Sequence, residues 1–125
     1  MGAVVARCFD SNIVIDWLNG VAEAGIELRS ADARTISIMS WIEVLVGVRP
    51  EEEVAVRSLL RDNFRIVPVD VAIAERAVAI RRDRRIKLID ATIHATALQA
   101  GLQLSTRNTK DFLESDPTIR VPYRL

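Results

Sequence analysis

The chain has 125 residues, half of them hydrophobic, and its 17 Lys and Arg balance 17 Asp and Glu to a formal net charge of zero. That length fits one domain, residues 1–125, with room for a core, and the apolar content argues against disorder. Neutrality is not the signature of a nucleic-acid binder, the lone Cys8 rules out an intrachain disulfide framework or a Cys-based zinc site, and no run resembles a membrane span or signal peptide, so a cytoplasmic location is expected.

Val4 to Phe9 is short, apolar and β-branched, and reads as a buried strand ending at Asp10. Ser11 and Asn12 offer capping side chains, so a short helix is expected over Ile13–Asn19, closed by Gly20. Ala22–Arg29 reads as a second, weaker helix and Thr35–Met39 as another buried strand. Ser40 is expected to start a helix that carries Glu43 and Leu45 and is interrupted by Gly47 and Pro50. Glu51–Asn63 is helical again, with acids first and arginines later, as the helix dipole favours. Arg65–Val69 reads as a strand. Asp70 then caps a long helix from Val71 to about Arg84, whose Ile73, Ala77 and Ile80 follow helical spacing. Asp90–Ala100 is an Ala-rich helix ending at Gly101. Leu102–Ser105 reads as a strand, Lys110–Glu114 as a short helix and Ile119–Val121 as a last strand. This alternation predicts an α/β fold with a mostly parallel sheet.

Open α/β sheets bind ligands beyond the carboxyl ends of their strands. Asp10 ends the first strand, Glu43 lies a helical turn past the second, and Asp111 follows the Leu102–Ser105 strand. Asp90, at a helix start, reaches the same edge if its helix precedes the strand it packs on. Gathered carboxylates repel one another unless protons or cations compensate, and hard oxygen ligands suit Mg²⁺ or Mn²⁺. Singly, each acid also has an ordinary reading: Asp10 in a turn, Glu43 in a capping box with Ser40, Asp90 complementing a helix dipole.

Four stretches carry more in combination: Phe9-Asp10-Ser11-Asn12, Ser40-Trp41-Ile42-Glu43-Val44-Leu45-Val46-Gly47, Leu88-Ile89-Asp90-Ala91-Thr92-Ile93-His94-Ala95, and Ser105-Thr106-Arg107-Asn108-Thr109-Lys110-Asp111-Phe112. In this order, and over nearly the whole chain, they resemble PIN-domain proteins, specifically the VapC-type toxins of bacterial toxin–antitoxin pairs. The resemblance implies a three-layer α/β/α sandwich with a mostly parallel central sheet. It implies a Mg²⁺-dependent endoribonuclease that leaves a 5′-phosphate and a 3′-hydroxyl, a homodimer, and a cognate VapB-like antitoxin. It places Asp10, Glu43 and Asp90 in the catalytic metal pocket, Asp10 centrally, with Asp111 or Asn108 as the fourth member and Asp111 preferred. Asn12, Arg107, Asn108 and His94 are candidates for substrate or supporting contacts. Two residues depart from the pattern. Ile89 replaces a proline, and His94 replaces a small residue, where it is either a metal ligand or, by preference, a packed or interface histidine.

Arg76, Arg81, Arg82, Arg84, Arg85 and Lys87 form a basic cluster. It reads equally as a phosphate-tracking rim leading to Asp90 or as a solvated face partly paired with Glu75 and Asp83. Trp17 and Trp41 read as packing residues. An antitoxin segment is expected to lie in an apolar groove lined by Trp17, Leu18, Trp41 and Leu45, and to place an Arg or Lys among the four acids. The rival readings are a catalytically inert PIN module that binds RNA or antitoxin, and, more remotely, a receiver-like phosphoacceptor domain. The latter calls for neighbouring acids where this chain has only Asp10.

Overall fold

The computed structural model describes residues 3–125. In chain order the elements are β1 (Ala6–Phe9), α1 (Ser11–Leu18), α2 (Ala22–Arg29), β2 (Ala33–Ser37), α3 (Ile38–Val46), a 3₁₀ turn (Pro50–Glu52), α4 (Glu53–Asn63), β3 (Arg65–Val67), α5 (Val71–Asp83), α6 (Leu88–Gln99), β4 (Gln103–Ser105) and β5 (Ile119–Arg120). The five strands form one sheet in the order β3-β2-β1-β4-β5, and every pairing is parallel. Parallel strands require crossovers, and the crossover helices cover both faces of the sheet.

Alternation along β1 shows how the two faces are built. Cys8 points into a core made with Ile73, Ala77 and Ile80 of α5, Ala91, Ile93, Ala95 and Ala97 of α6, Leu104, Phe112 and Ile119. Phe9, the next residue, points into a second core with Ile13 and Val14 of α1, Leu28, Ile36, Val44, Leu45, Val56, Leu60 and Phe64. Successive strand side chains point to opposite faces, so one short strand supplies both cores. The result is the expected α/β/α sandwich, with a sheet that is wholly parallel. Burial, with the nearby charge of Asp10 adding to it, pushes the Cys8 thiol up to about 12, which suits a packing residue.

Several element boundaries differ from expectation. The first helix starts at Ser11, and its cap is Asp10, whose Oδ1 accepts the Ser11 amide at 2.7 Å. β2 ends two residues earlier than expected, so Ser37 caps α3 and Ser40 lies buried within it. The Ser40–Glu43 capping box is therefore absent. β3 stops at Val67, before Pro68, which has no amide hydrogen for a ladder. The expected Lys110–Glu114 helix is a run of turns, because Asn108 Oδ1 takes the Asp111 amide at 3.2 Å and competes with helical bonding. Gly20 and Gly101 take φ of +81° and +69° at the ends of α1 and α6, a left-handed conformation that suits glycine.

Asp70 is the expected cap of α5, with Oδ1 accepting the Ile73 amide at 2.8 Å. Asp70→Ala should lower stability by about 1 kcal/mol in urea unfolding, and Asp70→Ser should lose much less.

Candidate active site

Read across the sheet, the strand order changes direction at β1, which has β2 on one side and β4 on the other. Such switch points leave a crevice beyond the strand ends. Asp10 follows β1 and Thr106 follows β4, and the Asp10 amide donates to the Ser105 carbonyl at 2.9 Å. β2 leads through its cap Ser37 directly into α3, which carries Glu43. α6 runs back over the sheet before β4, so its first turn, with Asp90, arrives at the same edge.

Asp10 is only 4% exposed. Thr106 donates to its Oδ2 at 2.8 Å, and Asn12 Nδ2 reaches the same oxygen at 3.4 Å. Asn12 Oδ1 in turn accepts the Arg107 amide at 3.2 Å, and Thr106 Oγ1 accepts the Asn108 amide at 3.0 Å. Burial nevertheless dominates and pushes the Asp10 pKa up to about 6; hydrogen bonds from Thr106 and Ser11 oppose the shift, and the charges of Asp90 and Glu43 add to it.

Glu43, Asp90, Asn108 and Asp111 line a cleft of about 980 Å³, with Arg85, Lys87, Leu88, Ile89 and Lys110. The Ser11 hydroxyl donates to Glu43 Oε1 at 2.6 Å, 2.9 Å from the Ser40 hydroxyl. Asp90 is raised too, by burial first and then by the charges of Asp111 and Glu43, with Lys87 opposing them. Asn108 donates from Nδ2 to Asp111 Oδ2 at 3.0 Å and accepts the Asp111 amide, so it orients Asp111. The four predicted acids are thus linked by charge, while Asp10 lies buried and only the other three line the cleft.

The remaining predicted residues divide. His94 bonds Arg84 and Thr118 through its two ring nitrogens, so it is a packed histidine. The Arg107 guanidinium is held bidentately by Asp16 at 2.6 and 3.0 Å, and Tyr123 donates to the same carboxylate at 2.7 Å. Only the Arg107 amide serves the site. The basic cluster also splits. Arg84 pairs with His94 and Arg76 with Gln99. Arg81 and Arg82 border a separate apolar hollow with Met39, Val78 and Leu88. Of the cluster, only Arg85 and Lys87 reach the cleft, joined by Lys110 of the β4–β5 loop. No ion pair with Glu75 or Asp83 forms among the described residues.

The apolar groove lies between the expected helices and keeps Leu18, but its other lining residues differ from those expected. It has a volume of about 660 Å³ and runs between α1, α3 and α4, lined by Ile15, Leu18, Val44, Val48, Val56 and Leu59, with Glu43 also on its wall. Trp17 instead packs edge-on to Phe64 at 5.8 Å, Trp41 lies under Arg61, and Leu45 is in the core. Glu43 borders both groove and cleft. The site residues missed from the sequence are Thr106, Ser11, Lys110 and the Ser37 cap. Ser11 directly follows the candidate acid Asp10, and Thr106 directly follows a strand end; those positions were the available signal.

Among the described residues no three His, Cys, Asp or Glu side chains converge as a ready-made metal cluster. The donor chemistry still fits Mg²⁺. Every donor is a hard oxygen, no Arg or Lys pairs with any of the four acids within ion-pair distance among the described residues, and Mg²⁺ takes few carboxylates directly and keeps its waters. Among the described residues, no helix is long and apolar enough to cross a membrane.

Fold and site together define a small parallel α/β protein with a buried Asp10 at its topological switch point and a cleft lined by three further acids and three basic residues. The PIN domain family matches residues 7–115, so the chain belongs to that family. It is 38% identical to a chain of a toxin–antitoxin complex from Klebsiella pneumoniae, covering 95% of this chain and 99% of that one, with a TM-score of 0.87. FitAcB from Neisseria gonorrhoeae (23% identity, 95% and 99% covered, TM-score 0.77) and DNA-bound VapBC from Salmonella typhimurium (21%, 94% and 96%, 0.74) share the fold. These matches support the VapC-type resemblance read from the four motifs. No curated protein matches the chain.

The Asp10 shift sets a pH dependence. A carboxyl raised to about 6 in the folded state binds its proton more tightly there than in the unfolded chain, where the pKa is about 3.9. Its contribution to stability is complete below pH 4 and is lost as pH rises through 6. Without divalent cations, Asp10→Asn should therefore be more stable than the wild type above pH 6, by up to about 3 kcal/mol, with the gap closing towards pH 4. Thermal melts in EDTA from pH 4 to 8 measure it.

Proposed function

We propose that the chain is a Mg²⁺-dependent endoribonuclease, with Mn²⁺ able to substitute, and that it acts as the toxin of a toxin–antitoxin pair. The observation that supports this most is the charge linkage of Asp10 with Asp90 and Glu43, and of Asp90 with Asp111, at the switch point of a PIN fold. RNA as substrate rests on the resemblance to VapC-type toxins.

Asp10, Glu43, Asp90 and Asp111 would hold the cation, some of them through water. When bound, the cation supplies an activated water and charge stabilisation on the phosphoryl oxygens. The protein's own contribution is placement. Ser11 holds Glu43, Thr106 and Asn12 hold Asp10, and Asn108 holds Asp111. Arg85, Lys87 and Lys110 line the same cleft as the acids and would take the phosphates flanking the scissile bond.

A cognate VapB-like antitoxin is the proposed partner, in line with the toxin–antitoxin complexes among the structural relatives. A segment seated in the α1–α3–α4 groove would arrive at Glu43 and deliver an Arg or Lys to the acids, in competition with Mg²⁺. A homodimer, also proposed from the resemblance, would have the apolar hollow of Met39, Val78 and Leu88 to bury.

Asp10→Asn should lower RNA cleavage in Mg²⁺ by more than about a hundredfold, beyond the loss typical of a supporting contact. Full activity in that variant would refute the assignment, and RNA binding without cleavage by the wild type would favour the inert-module reading. Arg85→Glu with Lys87→Glu should weaken RNA binding and flatten the log–log salt slope by roughly 1.4, whereas Arg81→Glu, outside the cleft, should leave the slope unchanged.

A further inference from the structure

His94, one helical turn beyond Asp90, is 3% exposed. Arg84 Nη2 lies 2.8 Å from its Nδ1, and Thr118 Oγ1 lies 3.0 Å from its Nε2. A guanidinium only donates, so Nδ1 must present its lone pair and the ring proton must sit on Nε2. Nε2–H then donates to Thr118 Oγ1, and the Thr118 hydroxyl donates onward to Asp116 Oδ1 at 2.7 Å. The Thr118 amide donates to that same oxygen at 2.8 Å. The bonds thus run in one direction from a cation to a carboxylate. They join three segments: Arg84 at the end of α5, His94 in α6, and the close of the β4–β5 loop just before β5.

The loop between β4 and β5 contains turns but neither helix nor strand. Its anchor is Phe112, which has no exposed surface and stands edge-on to the His94 ring, centroids 5.4 Å apart at 81°. The Arg84 guanidinium lies 5.9 Å from the Phe112 ring centre. Phe112 directly follows Asp111, and its amide donates to the Asn108 carbonyl at 3.2 Å. The cleft is also lined by Arg85, which directly follows Arg84, and by Lys87, three residues after it. One imidazole therefore sits where both walls are tied. An aliphatic side chain could fill the space, but it would leave Arg84 and Thr118 without the bonds that join the segments.

We propose that His94 is a positioning residue: as a neutral imidazole it holds the loop bearing Asp111 against the α5–α6 connection and so fixes the spacing of the cleft walls. Its consequence for catalysis rests on the nuclease reading; its geometry does not. It acts through Phe112 and Thr118, and its own hydrogen bonds go to none of the four acids.

The test pairs His94→Ala with Thr118→Val, which removes the relay hydroxyl while keeping the imidazole and near-native shape, in case the first variant folds poorly. Single-turnover cleavage of a short RNA in Mg²⁺ should fall about 10- to 100-fold in each, the range for groups that orient metal ligands, with KM nearly unchanged. On an Asp111→Asn background neither should cause a further loss, because the residue they position is already disabled. Losses that multiply fully on that background, or wild-type rates in both variants, would overturn the proposal. A second readout is independent of activity. Amide exchange at Asp111 and Phe112 should accelerate at least tenfold in Thr118→Val while β1 amides stay unchanged, and unaltered exchange would also overturn it. If the wild type cleaves no RNA, the nuclease reading fails and the exchange result alone decides the role of His94.

Discussion

The carboxylate of Asp10 is the constraint on which the cleft depends. One oxygen caps α1 and the other receives Thr106, while the main chain bonds to β4. The residue thus joins β1, α1 and β4 and has little freedom to move towards water. Ser11, Thr106 and Asn12 supply donors that favour the charged form, yet burial and two neighbouring carboxylates outweigh them, leaving a pKa near 6. A charge so incompletely compensated is a place where a cation is strongly stabilising.

Two other buried acids show that the fold can satisfy carboxylates when it is built to. Asp16 receives Arg107 and Tyr123, and Glu27 receives Arg120 bidentately and Ser105. Burial pushes both upwards, but these donors outweigh it and hold both below their ordinary values. Asp10 and Asp90 move the other way, with no arginine within ion-pair distance among the described residues. The sign of the shift sets Asp10 and Asp90 apart from these two structural acids. The paired acids also brace the site, since Asp16 holds the Arg107 side chain and Tyr123 of the C-terminal segment, and Glu27 holds Ser105. Within one small molecule, an opposite charge lowers a carboxyl pKa, while burial and like charges raise it.

Much of this was legible in the sequence where a local pattern decides the outcome. α2 and the Asp70 cap fall where composition places them, and the α/β alternation gives the layer order. The acids could be assigned to one edge because each lies near a strand end or a helix start. Cap positions were less legible. Ser and Asp are both good caps, and which one acts depends on where the preceding strand stops pairing, as at Ser37 and Asp10. The Asn108 turn replaced an expected helix through a single side-chain bond. The Asp16–Arg107 and Asp16–Tyr123 contacts span 91 and 107 residues, and no local periodicity reports such pairs. The basic cluster divided because residues one or two apart on a helix and its exit point in different directions.

The central claim is that the four linked acids form one site for a divalent cation. The direct measurement is calorimetric titration of Mn²⁺ into the wild-type protein at pH 6 and pH 7.5, in buffers of different ionisation enthalpy. With Asp10 near half-protonated at pH 6, one equivalent of cation should bind and release about half a proton there, and markedly less at pH 7.5. Absence of binding at millimolar Mn²⁺, or binding whose proton release is zero at both pH values, would contradict the account.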